Sequence, residues 1–334
     1  MTHEQETKDT SAAPSHPTDA QGKPAAPGGQ GKPRQHDKVT RMGTESIPRL
    51  ITEFAIPSIL GMLVNGAYNV IDSIFLGQAM GEIGLSTATV AMPIMTVFMA
   101  IAMLVGNGGN ALAALRMGEG KPEEAERSLG NTVTLSLIAS VVVAVVMFVP
   151  ACIDGLLSVS GATPEDWDYA MQFIRIISLG FIFQCIGMGV NNFIRTAGAP
   201  NRALGTMIIG AVACTAFNAL FVLVMGMGVV GSALATVCGQ AISCATVLWY
   251  FCLTKGVPMR LRLRMMPLHG ETVRLILSLG LASFAVQAGI AAVNFVLNNL
   301  LNMYGAQSPI GAEGALASIG VVQRVASFVV LPLI

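Results

Sequence analysis

The 334-residue chain carries 53% hydrophobic and only 11% charged residues, where a soluble domain holds about 25% charged residues. Its formal net charge is zero, so no global field gathers nucleic acid or acidic substrates. The six cysteines include no CxxC pair and the four histidines lie outside the apolar runs, which sets aside a disulfide framework, a zinc site and histidine as an intramembrane proton carrier.

Residues 1–45 are compositionally separate. The stretch SAAPSHPTDAQGKPAAPGGQGKPRQHDK is rich in Pro, Gly, Ala and charge. It cannot bury enough apolar surface to offset its ordering entropy, and is expected to be a disordered cytoplasmic tail. No apolar stretch follows a basic start, so it does not read as a signal peptide.

Eight apolar segments follow, at about 54–77, 87–115, 128–149, 169–192, 204–225, 229–253, 273–302 and 315–334. A helix of roughly 20 apolar residues spans a hydrocarbon core of about 30 Å. The segments lack strand alternation, so an all-α, polytopic membrane helix bundle is expected. The last segment runs to Ile334 without a closing loop, which reads as truncation within a span.

Lys and Arg set the orientation. They occupy the tail, the second loop (Arg116, Lys121, Arg127), the fourth (Arg195, Arg202) and the sixth (Lys255, Arg260, Arg262, Arg264). The first, third, fifth and seventh loops have none, and carry Glu82, Asp154, Glu165, Asp166 and Glu313 instead. The positive-inside rule then places the N-terminus in the cytoplasm of a multi-pass inner-membrane protein.

A weak internal repeat joins the first and seventh segments. RLITEFAIPSILGMLVNGAYNVIDSIF from Arg49 aligns without gaps with RLILSLGLASFAVQAGIAAVNFVLNNL from Arg274, and Asn69 falls opposite Asn294. Segments an even number of crossings apart predict a parallel repeat of six helices. The expected organisation is a tail over 1–45, a six-helix lobe over 46–255, and a linker with the start of a second lobe over 256–334.

Of the 19 acidic residues, Asp72 is the one placed well inside an apolar span. A carboxylate deep in lipid costs at least about 2.5–3.5 kcal/mol, so it faces a cavity or partner and marks a functional site. The competing reading is a carboxylate reaching the outer interface, about five residues away. Asn65, Asn69 and Asp72 share a helix face by their spacing, with Tyr68 and Ser73 beside them. Carboxylate, amide and hydroxyl oxygens suit Na⁺, and the carboxylate alone suits a proton; interhelical packing is the alternative for the two asparagines. Pro57, about four turns before Asp72, is expected to kink the helix and serve as a hinge. The glycines of GNGGNALAAL, from Gly106, are expected to allow close helix packing.

Several stretches resemble one family. AIPSILGMLVNGAYNVIDSIFLG with GLSTATVAMPI, then LRMGEGKPEEAERSLGN, NNFIRTAGAPNRA and MGMGVVGSALATVCGQ are similar to the multidrug and toxic compound extrusion (MATE) transporters, over residues 48–334. The resemblance implies 12 helices in two six-helix lobes and export of organic cations in exchange for Na⁺ or H⁺. It places Asp72 at the family's first-helix coupling-ion position. One departure stands out: where many members carry Asn and Asp in the fifth helix, this chain has Cys214 and Asn218. Coupling in this lobe then relies on Asp72, with Asn65, Tyr68, Asn69, Ser73 and Asn218 lining the cavity.

The function expected is thus a secondary active antiporter that exports drugs by alternating access. It is not an enzyme, needs no cofactor beyond its Na⁺ or H⁺ coupling ion, and meets small organic cations and membrane lipids but no nucleic acid. Oligomerisation is not required. A lipid-linked oligosaccharide flippase would call for an Arg-rich cavity, and an integral membrane enzyme for paired acidic residues such as DxxxD on cytoplasmic loops. Neither pattern is found.

Overall fold

The computed structural model describes residues 47–254, 257–307 and 311–330. The expected disordered tail, 1–45, lies outside them. All described residues fall in the compact unit Arg34–Ile334, and they form helices and connecting turns without a strand.

Eight α-helices follow in chain order: α1 Ile47–Gly118, α2 Pro122–Phe148, α3 Pro150–Val159, α4 Trp167–Thr196, α5 Pro200–Asn218, α6 Gly228–Leu253, α7 Gly270–Gly305 and α8 Gly311–Val330. Prolines open α2, α3 and α5, where a missing N–H costs nothing because the first helical turn has no internal acceptor for it. Six stretches among the described residues are long and apolar enough to cross a membrane: 70–118, α2, α4, Pro200–Val224, α6 and α7.

Loop charges alone put a loop with Glu82 between the first two segments. There is none. Both segments lie on α1, which runs helically through Pro57 and Pro93 and is broken at Gly81 alone, with φ 63° and ψ −138°. That conformation is open to glycine and strained for other residues. A single residue therefore redirects the chain, and α1 has a first arm before Gly81 and a second arm after it. Three other features leave no mark in the apolar pattern: the short helix α3, which carries Asp154; a π-helical turn, Ala219–Val224, that extends α5; and the position of Glu313 on the first turn of α8.

The core is built at two levels. Leu76, Ile94, Phe98, Leu157, Phe173 and Phe181 belong to one cluster. Leu129, Phe193, Ile194, Val247, Phe251 and Met259 belong to another. Large apolar side chains point outward on α2 (Val141, Val145), α5 (Val212) and α7 (Val286, Val293, Val296), as lipid-facing surfaces require.

The second arm of α1 carries the GNGGN motif, and its glycines meet three different helices. A Cβ on Gly106 would collide with the Gly189 Cα of α4, and one on Gly109 with Thr132 of α2. Gly108 faces the Ile276 carbonyl of α7, and Gly280 of α7 faces the Leu104 carbonyl. Small residues let these backbones touch. Amides complete the junction: Asn192 Nδ2 donates to Asn107 Oδ1 (2.9 Å), and Asn107 Nδ2 to Ser283 Oγ (3.1 Å). The six-helix lobe and the α7–α8 pair are thus packed backbone to backbone.

Candidate functional site

Asp72 lies on the first arm of α1, nine residues before the break at Gly81. It is half-buried. Its Oδ1 accepts a hydrogen bond from Ser232 Oγ at 2.9 Å. Ser232 is fully buried near the start of α6. Thr236 stands one turn on, and Gly239 of the same helix packs on Cys214 of α5.

Asn218 is the last residue of α5, where the π-helical turn begins, and is 1% exposed. Its Nδ2 sits 3.6 Å from Cys214 Sγ, while its Oδ1 has no hydrogen-bond partner. A buried amide oxygen without a donor costs about 1–3 kcal/mol, and such a group in a native site calls for a ligand or a role. π-turns recur at functional sites because they widen the helix locally. α5 and α6 approach closely here: a Cβ on Gly239 would lie 2.6 Å from the Cys214 Cβ.

Two of the expected site residues, Asp72 and Asn218, are thus both tied to α6: Asp72 through Ser232, and Asn218 through Cys214, which packs on Gly239. Ser73 is buried beside Asp72. The side chains of Asn65, Tyr68 and Asn69 lie outside the described residues. Ser232 and Thr236 were not singled out from the sequence, although their spacing of four puts both on one face of α6 with Gly239. That face is the signal that could have found them.

The Asp72 carboxylate and the Ser232 hydroxyl are hard oxygens of the kind an alkali cation takes, and the carboxylate alone can hold a proton. Among the described residues no three His, Cys, Asp or Glu side chains converge as a metal site. A cavity of about 590 Å³ opens nearby, lined among others by Gln78, Met80, Tyr169, Gln172, Met227 and Val229. Its lining omits Asp72, Ser232 and Asn218. It sits about two turns further along α1, roughly 9–12 Å away.

Long lipid-facing helices closed around one half-buried carboxylate define a multi-pass membrane protein. The family model MatE matches residues 57–220. The chain is 23% identical over 287 residues to the multidrug export protein MepA of Staphylococcus haemolyticus (strain JCSC1435), covering 85% of this chain and 60% of that one. It is 24% identical over 297 residues to the probable multidrug resistance protein YoeA of Bacillus subtilis (strain 168), covering 86% and 61%. Among solved structures, the MATE multidrug transporter DinF-BH, solved in complex with a ligand, superposes with a TM-score of 0.80 and 32% identity, over 87% of this chain and 63% of that one. Together these likenesses support a MATE family transporter. It spans about 60% of the length of the curated relatives it matches.

Proposed function

We propose that this chain works as a secondary active antiporter, exporting drugs or other organic cations in exchange for Na⁺ or H⁺ across the inner membrane. The observation that carries the reading is Asp72: a half-buried carboxylate in an apolar bundle, bonded by Ser232. Residues 46–255 act as one lobe, and α7 and α8 belong to its counterpart. The distribution of Lys and Arg supports a cytoplasmic N-terminus. The relatives named for multidrug export, and the multidrug transporter solved with its ligand, support organic cations as cargo.

The coupling ion occupies the Asp72 neighbourhood, and alternating access exposes it to either side with Pro57 as a hinge. Asp72→Asn removes the one titratable carboxylate there while keeping a polar side chain for Ser232. Insertion and folding should persist, since an amide is cheaper than a carboxylate in lipid. Efflux driven by a Na⁺ or pH gradient should vanish in membrane vesicles. Efflux at the parental rate from that variant would place coupling elsewhere. Asn218→Asp adds a second carboxylate; two close carboxylates cannot both ionise cheaply, so one is held protonated to higher pH. The pH profile of efflux should move upward, or efflux should gain Na⁺ dependence. An unchanged profile in both respects would separate residue 218 from Asp72.

A further inference from the structure

A proline inside a helix leaves one carbonyl without its donor. Pro93 lies on the second arm of α1, and the oxygen its missing N–H would serve, four residues earlier, is the Thr89 carbonyl. The pyrrolidine ring also crowds that oxygen and tilts it away from the helix. In an apolar bundle such an oxygen needs a donor from elsewhere. The Thr89 hydroxyl is already committed, donating to the Leu85 carbonyl at 2.8 Å.

The donor comes from α7. Asn298 Nδ2 reaches the Thr89 carbonyl at 3.0 Å across 209 positions of sequence. Both residues are 1% exposed, so the bond is closed to solvent. Two neighbours repeat the pattern: Asn299 donates to the Val159 carbonyl at 2.9 Å, and Asn302 to the Gly161 carbonyl at 3.1 Å. Val159 closes α3, where the last carbonyls have no donor within their own helix. Gly161 turns the chain with φ 80°. A Cβ on Gly161 would lie 2.9 Å from the Asn298 carbonyl oxygen, and one on Gly320 of α8 would meet the Thr89 hydroxyl, so α7 and α8 close tightly at this level.

We infer that Pro93 and Asn298 are a matched pair that docks α7 on α1: the proline frees an acceptor on one helix, and the asparagine of the other takes it. Pro93 contributes through the N–H it lacks. Parting of α7 from α1 at this end strips the Thr89 oxygen of its donor, and the loss stands until water or another N–H replaces Asn298. Docking is therefore favoured while this end is dry and is released as it floods. Only the use of that release in transport rests on the proposed antiport; the pairing itself does not.

A double-mutant cycle tests the pairing, read as the thermal unfolding midpoint of purified protein in detergent, with neither drug nor gradient. Asn298→Ala strands a buried carbonyl and should lower the midpoint by roughly 3–10 °C. Pro93→Ala restores the missing N–H, and in that background Asn298→Ala should lose less than about half as much. Asn302→Ala is the control: its acceptor, Gly161, does not depend on Pro93, so its loss should be the same in both backgrounds. An equal loss for Asn298→Ala in the two backgrounds, or an equal coupling for Asn302→Ala, would overturn the pairing. Should Pro93→Ala fail to fold, Asn298→Asp decides. It keeps the shape but donates only while protonated, so docking raises its pKa and its loss relative to the parent should be smaller at about pH 5 than at about pH 8. A loss indifferent to pH would overturn the pairing as well. Failure of efflux in vesicles with the cycle intact would count against the transport reading alone.

Discussion

The two ends of the bundle hold the same parts together with opposite chemistry. At the Gly161 end, neutral asparagine amides grip backbone carbonyls. At the other end, α2 grips the linker that leads to α7. Glu126, 8% exposed, accepts from the Arg260 N–H at 3.0 Å and pairs with the Arg262 guanidinium at 3.2 Å. Asn131 Oδ1 accepts from the His269 N–H, and Thr134 Oγ1 donates to the Met266 carbonyl. Just beyond, Glu119 is held below the usual carboxylate range by its hydrogen bonds to Arg116 and Lys121. Its contribution is therefore present above the ordinary carboxylate pKa and is lost only as pH falls through its lowered value.

The comparison breaks most completely at the crossing that serves both ends. A side chain at Gly280 drives its Cβ into the Leu104 carbonyl, a backbone clash that no rotamer relieves. Gly280→Leu should cost about 3 kcal/mol or more, as overpacking against rigid backbone does. The thermal unfolding midpoint of purified protein in detergent measures this; a parental midpoint would mean that α1 and α7 do not touch. Glu126→Ala strips the Arg260 N–H of its acceptor and should cost about 1–3 kcal/mol. Glu126→Gln keeps an acceptor and loses only the pair with Arg262, itself 60% exposed, and should cost less than about 1 kcal/mol. Tryptic cleavage of the linker after Arg260 and Arg262 reports both. Equal cleavage of the two variants would make the ion pair, and not the backbone bond, the anchor.

Much of this architecture was legible in the chain. Apolar run length placed the crossing helices because lipid admits few other solutions. Asp72 was legible because a lone acid in an apolar run is costly. The GNGGN glycines were legible as packing residues, though not as contacts to three different helices. Ser232 escaped notice because a serine in a membrane helix is ordinarily satisfied by its own backbone, and only the tertiary fold brings it to Asp72. The missing loop at Glu82 was a local failure: one glycine replaces several polar residues and leaves little trace in composition.

That glycine has a mechanical consequence. An ordinary loop between two rods is a slack tether, and displacement of one rod dies out within it. Gly81 is an elbow without slack, with two torsions joining a 34-residue arm (47–80) to a 37-residue arm (82–118). Asp72 stands nine residues before the elbow, and Thr89, the carbonyl that Asn298 holds, stands eight residues after it. A twist imposed on the first rod must be taken up by those two torsions or handed on to the second. The chain thereby carries a short lever whose handle is Asp72 and whose far end is the Asn298 clasp.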